Sequence, residues 1–253
     1  MVIARDIAVI ERRKRLVHSA DNPGDTVIRP DAADGHCNYR FDPRQGDDRF
    51  RKLLGDKEWD GLPAAIQKRF GKRFGPGQSV AYQGVVTRMW FSRAGRILAH
   101  LVRLVGGPLP YDTKSTGQPA VVCVTEDTES HGQFWIRQYG RRRGFPQVVH
   151  SSKRFDGPTG LEEYVGYGIG MALKLEVGSD TLYFKNDHYF LKLLGMRLRL
   201  PRFLSPGELT IGHHELGRGY FAFSLLLEHP WLGRLIDQEA IFVDPVETVH
   251  VAI

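Results

Sequence analysis

In the segment GELTIGHHELGRGYFAFSLLL, which begins at Gly207, a histidine and a carboxylate stand two residues apart, His213 and Glu215, next to the turn-forming triplet Gly217-Arg218-Gly219. Side chains two apart on a strand share a face. If the triplet is a three-residue turn, Leu216 faces Tyr220, Glu215 faces Phe221 and His213 faces Phe223. His213 and Glu215 then join Ile211, Phe221, Phe223 and Leu225 on one apolar face, while Gly212 and His214 point the other way. Such a pair can work as acid and base or line a ligand cavity. It can equally be a core histidine held by its neighbouring carboxylate. Two further titratable residues join the candidates. Glu163 falls in phase with Val165 and Tyr167, which places a carboxylate either inside the sheet or at its rim. Lys153, among apolar strands, would have a lowered pKa if buried and an ordinary one if exposed.

Other chemistries are poorly represented. His213, His214 and Glu215 make a poor metal site, because adjacent strand residues cannot converge and no H-E-x-x-H helix is present, so no metal is expected. Ser151 and Ser152 do not lie in G-x-S-x-G. The two cysteines, Cys37 and Cys123, are far apart and outside any C-x-x-C spacing. Gly166, Gly168 and Gly170 in EYVGYGIGMALKL lack the G-x-G-x-x-G spacing and the following helix of a dinucleotide site. They read instead as a side-chain-free stripe on one long strand, and no cofactor is expected.

The elements that must position these residues are mostly strands. Asp47 and Asp48 can start a short helix carrying Phe50, Leu53 and Leu54, and Gly55 can end it. Leu62, Ile66 and Phe70 recur at helical spacing between Asp60-Pro63 and Gly71. Residues 79–92 (SVAYQGVVTRMWFS) read as a strand. Ile97, Leu98, Leu101, Val102 and Val105 then form a helix face over 93–105, with Arg96, His100 and Arg103 on the opposite side as a solvated face or an anion-docking stripe. From Ala120 onward alternation dominates, with short turns between strands and one helical interruption over 231–238. The expected fold is α+β but mainly β: a curved or barrel-like antiparallel sheet of about eight strands with two or three helices packed at one side. Residues 1–46 read as a partly irregular arm, 47–244 as one globular domain and 245–253 as a tail.

With 253 residues, 42% of them hydrophobic, the chain can form one substantial core. No apolar run approaches the ~20 residues that span a bilayer. The opening MVIARDIAVIERRKRL reverses the order of a secretory signal, so a soluble, cytoplasmic protein is expected. A net charge of +6, concentrated in Arg12–Arg15 and Arg141–Arg143, comes without a nucleic-acid motif, and nucleic acid is not the expected partner.

Six segments in order carry a resemblance: FRKLLG at Phe50, LPAAIQKRF at Leu62, RLVGGPLP ending at Pro110, HSSKRFDGPTGLEEYVGYGIGMAL from His150, LPRFLSPGELTIGHHELGRGYFAFSL from Leu200 and HPWLGRLIDQEAIFVD from His229. Over about 47–244 the chain resembles the bacterial domain of unknown function 4166. The resemblance implies an association with redox metabolism, since such domains also occur behind saccharopine-dehydrogenase-like, NADP-binding Rossmann domains. It supplies no activity and no catalytic residues. Two functions follow. One is a pocket-forming module for an apolar small molecule, with Trp90, Tyr167, Phe221 and Phe223 lining the pocket, acting beside a separate NADP-dependent oxidoreductase. The other is a cofactor-independent acid–base enzyme using His213 with Glu215, and Glu163 or Lys153. A structural or protein-interaction role is the third alternative. A cavity lined by apolar groups favours the binder; His213 converging with another titratable group in a cavity favours the enzyme.

Overall fold

The computed structural model describes residues 46–74, 79–106 and 109–245. The arm expected before Gly46, with Cys37 and the Arg12–Arg15 cluster, and the tail after Pro245 lie outside the described residues. Three short helices come first: α1 (Arg49–Leu54), α2 (Asp56–Asp60) and α3 (Ala64–Phe70). Strand β1 (Ser79–Phe91) leads into α4 (Arg93–Leu101) and a 3-10 turn, Val102–Val105. Ten strands follow: β2 (Pro119–Asp127), β3 (Gly132–Tyr139), β4 (Gln147–Arg154), β5 (Glu162–Gly166), β6 (Ile169–Gly178), β7 (Thr181–Leu193), β8 (Met196–Arg199), β9 (Glu208–Gly217), β10 (Tyr220–His229) and β11 (Gly233–Val243). A second 3-10 turn, Arg202–Leu204, joins β8 to β9.

All of the pairings are antiparallel, and β6–β7 together with β1–β11 close the sheet on itself. The result is a ten-strand barrel, with β8 continuing the edge of β7 beyond its pairing with β9. The expected count of about eight is therefore too low, for two local reasons. The glycine-rich run is not one strand: Tyr167 and Gly168 form a tight turn between β5 and β6, both with positive φ (49° and 76°). Segment 231–238 is not helical either. A register shift opposite Leu227 and Glu228 buries both Leu235 and Ile236, which breaks the alternation that marks a strand.

One end of the barrel is filled by α1–α3. Their spacing puts Phe50, Trp59, Ile66 and Phe70 on the inner side, where all are buried. Phe50 packs edge-on against Phe70, Phe155 and Phe184 at 4.9–6.0 Å. Each fully buried side chain of this size contributes about 1.5–3 kcal/mol. Two arginines fix the plug: Arg49 to Asp47 and Glu126, and Arg69 to Glu215 and Asp244.

At the other end α4 crosses the opening. Ser92 caps it by accepting from the N–H of Gly95 at 3.0 Å. Any side chain at Gly95 would collide with the carbonyl of Leu235, so the helix rests directly on β11. Because Gly95 and Ala99 form that contact line, the helix turns Leu98 and Val102 inward. Ile97 and Leu101, expected on the buried face, are 62% and 57% exposed.

The turn between β5 and β6 gives a direct test. At Gly168 a β-branched residue meets both a positive φ and the carbonyl of Lys192. Gly195, at φ 80°, has open space around it. Gly195→Ala is expected to cost only the left-handed backbone penalty, about 1–2 kcal/mol, and Gly168→Val clearly more, as read from urea midpoints.

Candidate functional site

Alternation along each strand decides what enters the barrel. On β3 it sends Trp135, Arg137 and Tyr139 inward, on β4 Val149, Ser151 and Lys153, and on β5 Glu163 and Val165. In the β4–β5 register Lys153 stands directly opposite Glu163. The two meet at 3.0 Å, and each is at most 3% exposed. Ser151 donates to the same carboxylate at 2.5 Å, and Arg137 reaches both Ser151 (3.1 Å) and Glu163 (3.4 Å). The ammonium of Lys153 also lies 4.7 Å from the Trp135 ring and 5.3 Å from that of Phe184.

Burial pushes Lys153 down to about 8, partly opposed by the attraction of Glu163. Burial alone would raise Glu163, but Lys153, Arg137 and the hydroxyl of Ser151 hold it down at about 2. At neutral pH the cluster therefore holds two cations and one anion, an excess of one positive charge inside the barrel. The buried Nε of Arg137 has no hydrogen-bond acceptor among the described residues.

This polar cluster borders a cavity of about 460 Å³. The remaining walls are almost wholly apolar, from β6, β9, β10, α4 and the segment before β9. Tyr139 and Tyr189 also line it, and burial pushes both phenol pKa values up, so they stay protonated. Leu204 and Leu232 line the cavity and are 60% and 59% exposed, so it reaches solvent between them. On the plug side of Arg137 a second space of only about 20 Å³ remains among Phe70, Trp135, Phe221 and His213.

A model of the family described as Domain of unknown function (DUF4166) matches residues 62–242. The chain belongs to this family. No curated protein and no solved structure matches it.

In this DUF4166 domain the eight candidate residues divide sharply. Glu163 and Lys153 form the buried pair, and Phe223 lines the main cavity. Phe221 and His213 line the small space behind it. Trp90 and Tyr167 do not line either: Trp90 is on the outward phase of β1 and 46% exposed, and Tyr167 is at the tip of a turn and 80% exposed. The turn after β9 has two residues, Arg218 and Gly219, and a bulge at Leu216 restores the expected pairing of Glu215 with Phe221 and His213 with Phe223. Both side chains do enter the barrel, yet they do not pair. Glu215 bonds Arg69 and the N–H of Gly217. His213 sits in an aromatic box of Phe70, Trp135, Phe184 and Phe223, at 4.9–5.8 Å. Burial, reinforced by Lys153, Arg69 and Arg137, pushes it well below its ordinary pKa, so it is neutral. His214 does point outward but is also buried, bridging the hydroxyls of Thr181 (2.9 Å) and Ser224 (2.7 Å). Among the described residues no group of three or more His, Cys, Asp or Glu is arranged to hold a metal ion.

The residues missed from the sequence are Arg137, Tyr139, Ser151 and Tyr189. A signal for the first three existed: Arg137 and Tyr139 are in phase with Trp135, and Ser151 with Lys153. Pairing β4 with β5 through the Asp156-Gly157-Pro158 turn would have set Lys153 against Glu163.

The cluster predicts how stability responds to mutation and pH. Glu163→Gln leaves two buried cations without an anion and is expected to cost about 3–5 kcal/mol at pH 7. In the wild type, Glu163 contributes stability above its ordinary 4.5, and that contribution is lost as pH falls toward about 2. Lys153, lowered from 10.5, opposes folding below about pH 8, and this penalty fades as pH rises from about 8 to 10.5. Denaturation midpoints at pH 3, 7 and 9.5 (about one unit around these transitions) should show a smaller acid loss in Glu163→Gln than in the wild type.

Proposed function

We infer that this barrel binds an apolar small molecule with a hydrogen-bond acceptor at one end. The observation that carries the reading is the cavity of about 460 Å³, apolar along most of its walls and charged where Arg137, Ser151 and Glu163 close it. Its size falls within the range of small-molecule sites, about 300–1,000 Å³, whose usual makeup is an apolar lining with a few placed polar groups. Arg137 supports an acceptor at the inner end, because its guanidinium group belongs to the residues that line the cavity there and guanidinium donors suit anionic or strongly polar acceptors. The excess positive charge in the cluster favours an anionic or strongly dipolar end group.

The acid–base alternative draws little support. His213 lies outside the main cavity, and Glu215 is engaged by Arg69. A separate NADP-dependent oxidoreductase as the partner that uses the ligand follows from the family resemblance and from no feature of the barrel.

Protein purified from its own host without organic extraction, and examined by native mass spectrometry, is expected to carry one small apolar molecule per chain. The emptied protein should bind the fluorophore N-phenylnaphthylamine at one site. Ile211→Trp, which places a larger ring in the cavity, should weaken that binding at least about tenfold without lowering the denaturation midpoint, since it fills empty space. Unchanged affinity in Ile211→Trp would place the fluorophore outside the barrel and remove the support for this reading.

A further inference from the structure

The end of the barrel through which the cavity opens is unlike the rest of the surface. Every described large hydrophobic side chain that is more than half exposed lies there, and none lies at the plugged end. They come from separate elements: Ile97, Leu101 and Leu104 from α4 and its 3-10 extension, Leu194 from the tip of β7–β8, Phe203 from the second 3-10 turn and Trp231 from the β10–β11 turn. Antiparallel order places these turns together, since the odd-to-even connections β5–β6 and β7–β8 and the returns into β9 and β11 leave the barrel on the same side as α4. Single exposed apolar residues need no explanation. A ring of them around a cavity mouth does.

The charges between them are mainly positive. Residues 93–105 (RAGRILAHLVRLV) contain three arginines and a histidine without an acidic residue, and 191–205 (LKLLGMRLRLPRFLS) contain a lysine and three arginines, again without one. Arg93, Arg96, Arg199 and Arg202 are exposed and have no carboxylate partner among the described residues. Of the acidic residues of this end, Asp112 and Glu228 face Arg141 (2.8 Å) and Arg234 (3.8 Å), while Glu208 is exposed beside Glu228. Protein–protein contacts are compact patches whose centres are poor in charge. Here the apolar tips stand on separate turns with arginines set between them, the composition of a surface that sinks its apolar side chains into an interface while its cations meet anionic headgroups.

We propose that the cavity end of the barrel docks on an anionic lipid bilayer, with α4, the β7–β8 tip, Phe203 and Trp231 entering the headgroup region. Docking in this orientation sets the opening between Leu204 and Leu232 against the apolar phase, so that an apolar molecule passes between bilayer and cavity without crossing water. The inference goes beyond ligand binding and is tested without it, because vesicle binding is measured whatever the cavity holds.

The full chain is sedimented with vesicles of phosphatidylcholine alone and of equal parts phosphatidylcholine and phosphatidylglycerol. Binding to the anionic vesicles only, weakened by salt, with emission quenched by brominated acyl chains, is the expected result. Trp231→Phe should remove most of that quenching while the protein still binds. Arg96→Glu with Arg202→Glu, and separately Leu104→Asp with Phe203→Ser, should each lower the bound fraction at least about tenfold. All of these side chains are exposed, so thermal midpoints are expected to stay at the wild-type value. Three results would overturn the proposal: no binding to either vesicle, equal binding by the wild type and both double variants, or a dimer in light scattering that the same variants convert to monomer. The last would make the face a contact between two copies of the chain.

Discussion

Closure of the sheet sets the terms for everything inside it. A barrel widens with each added strand, and at about eight strands the interior is already just filled by side chains or one small ligand. Ten strands leave more space than their inward side chains occupy. The molecule resolves this differently at its two ends. At one, helices α1–α3 carry Phe50, Ile66 and Phe70 into the opening and reduce the remaining space to about 20 Å³. At the other, α4 spans the opening on the small residues Gly95 and Ala99, and about 460 Å³ stays empty beneath it.

The polar cluster lies where these two halves meet, and its composition is hard to explain by stability. Replacing a buried ionic triad with apolar residues of similar volume is often neutral or stabilising. Lys153, Glu163 and Arg137 are therefore an expensive way to join two apolar compartments, the more so because their charges do not cancel. Arg137 borders both spaces. An anionic or dipolar group entering from the cavity side would offset that excess charge.

Much of this was legible along the chain, because strand period and turn chemistry are local. The inward placement of His213 and Glu215, the stripe Leu62, Ile66 and Phe70, and the helix after Ser92 all follow from spacing. What failed depended on partners distant in sequence. Glu215 looks like the partner of His213 until Arg69, 146 residues away, takes its carboxylate. Trp90 and Tyr167 are aromatic in β-rich segments, but the phase of β1 and the turn at Gly168 turn them outward. Lys153 reads as exposed by residue type, and only its register opposite Glu163 makes burial tolerable. The split of the glycine run was visible only in backbone terms: positive φ at Tyr167 and Gly168 leaves no trace in hydropathy.

The same division governs where the barrel can open. The plug is held by buried aromatic contacts and by Arg49 and Arg69, each tied to two carboxylates, so displacing it would strand charge and expose several rings at once. The inner stripe of α4 lines the cavity at Leu98 and Val102, while Gly95 and Ala99 seat the helix on β11 and the core. Its 3-10 extension touches the β5–β6 turn, where glycines at 106 and 166 bring the two backbones together with no side chain interlocking them. The same helix carries Ile97, Leu101 and Leu104 on its outer side, so the element that covers the cavity also supplies part of the exposed apolar surface of this end.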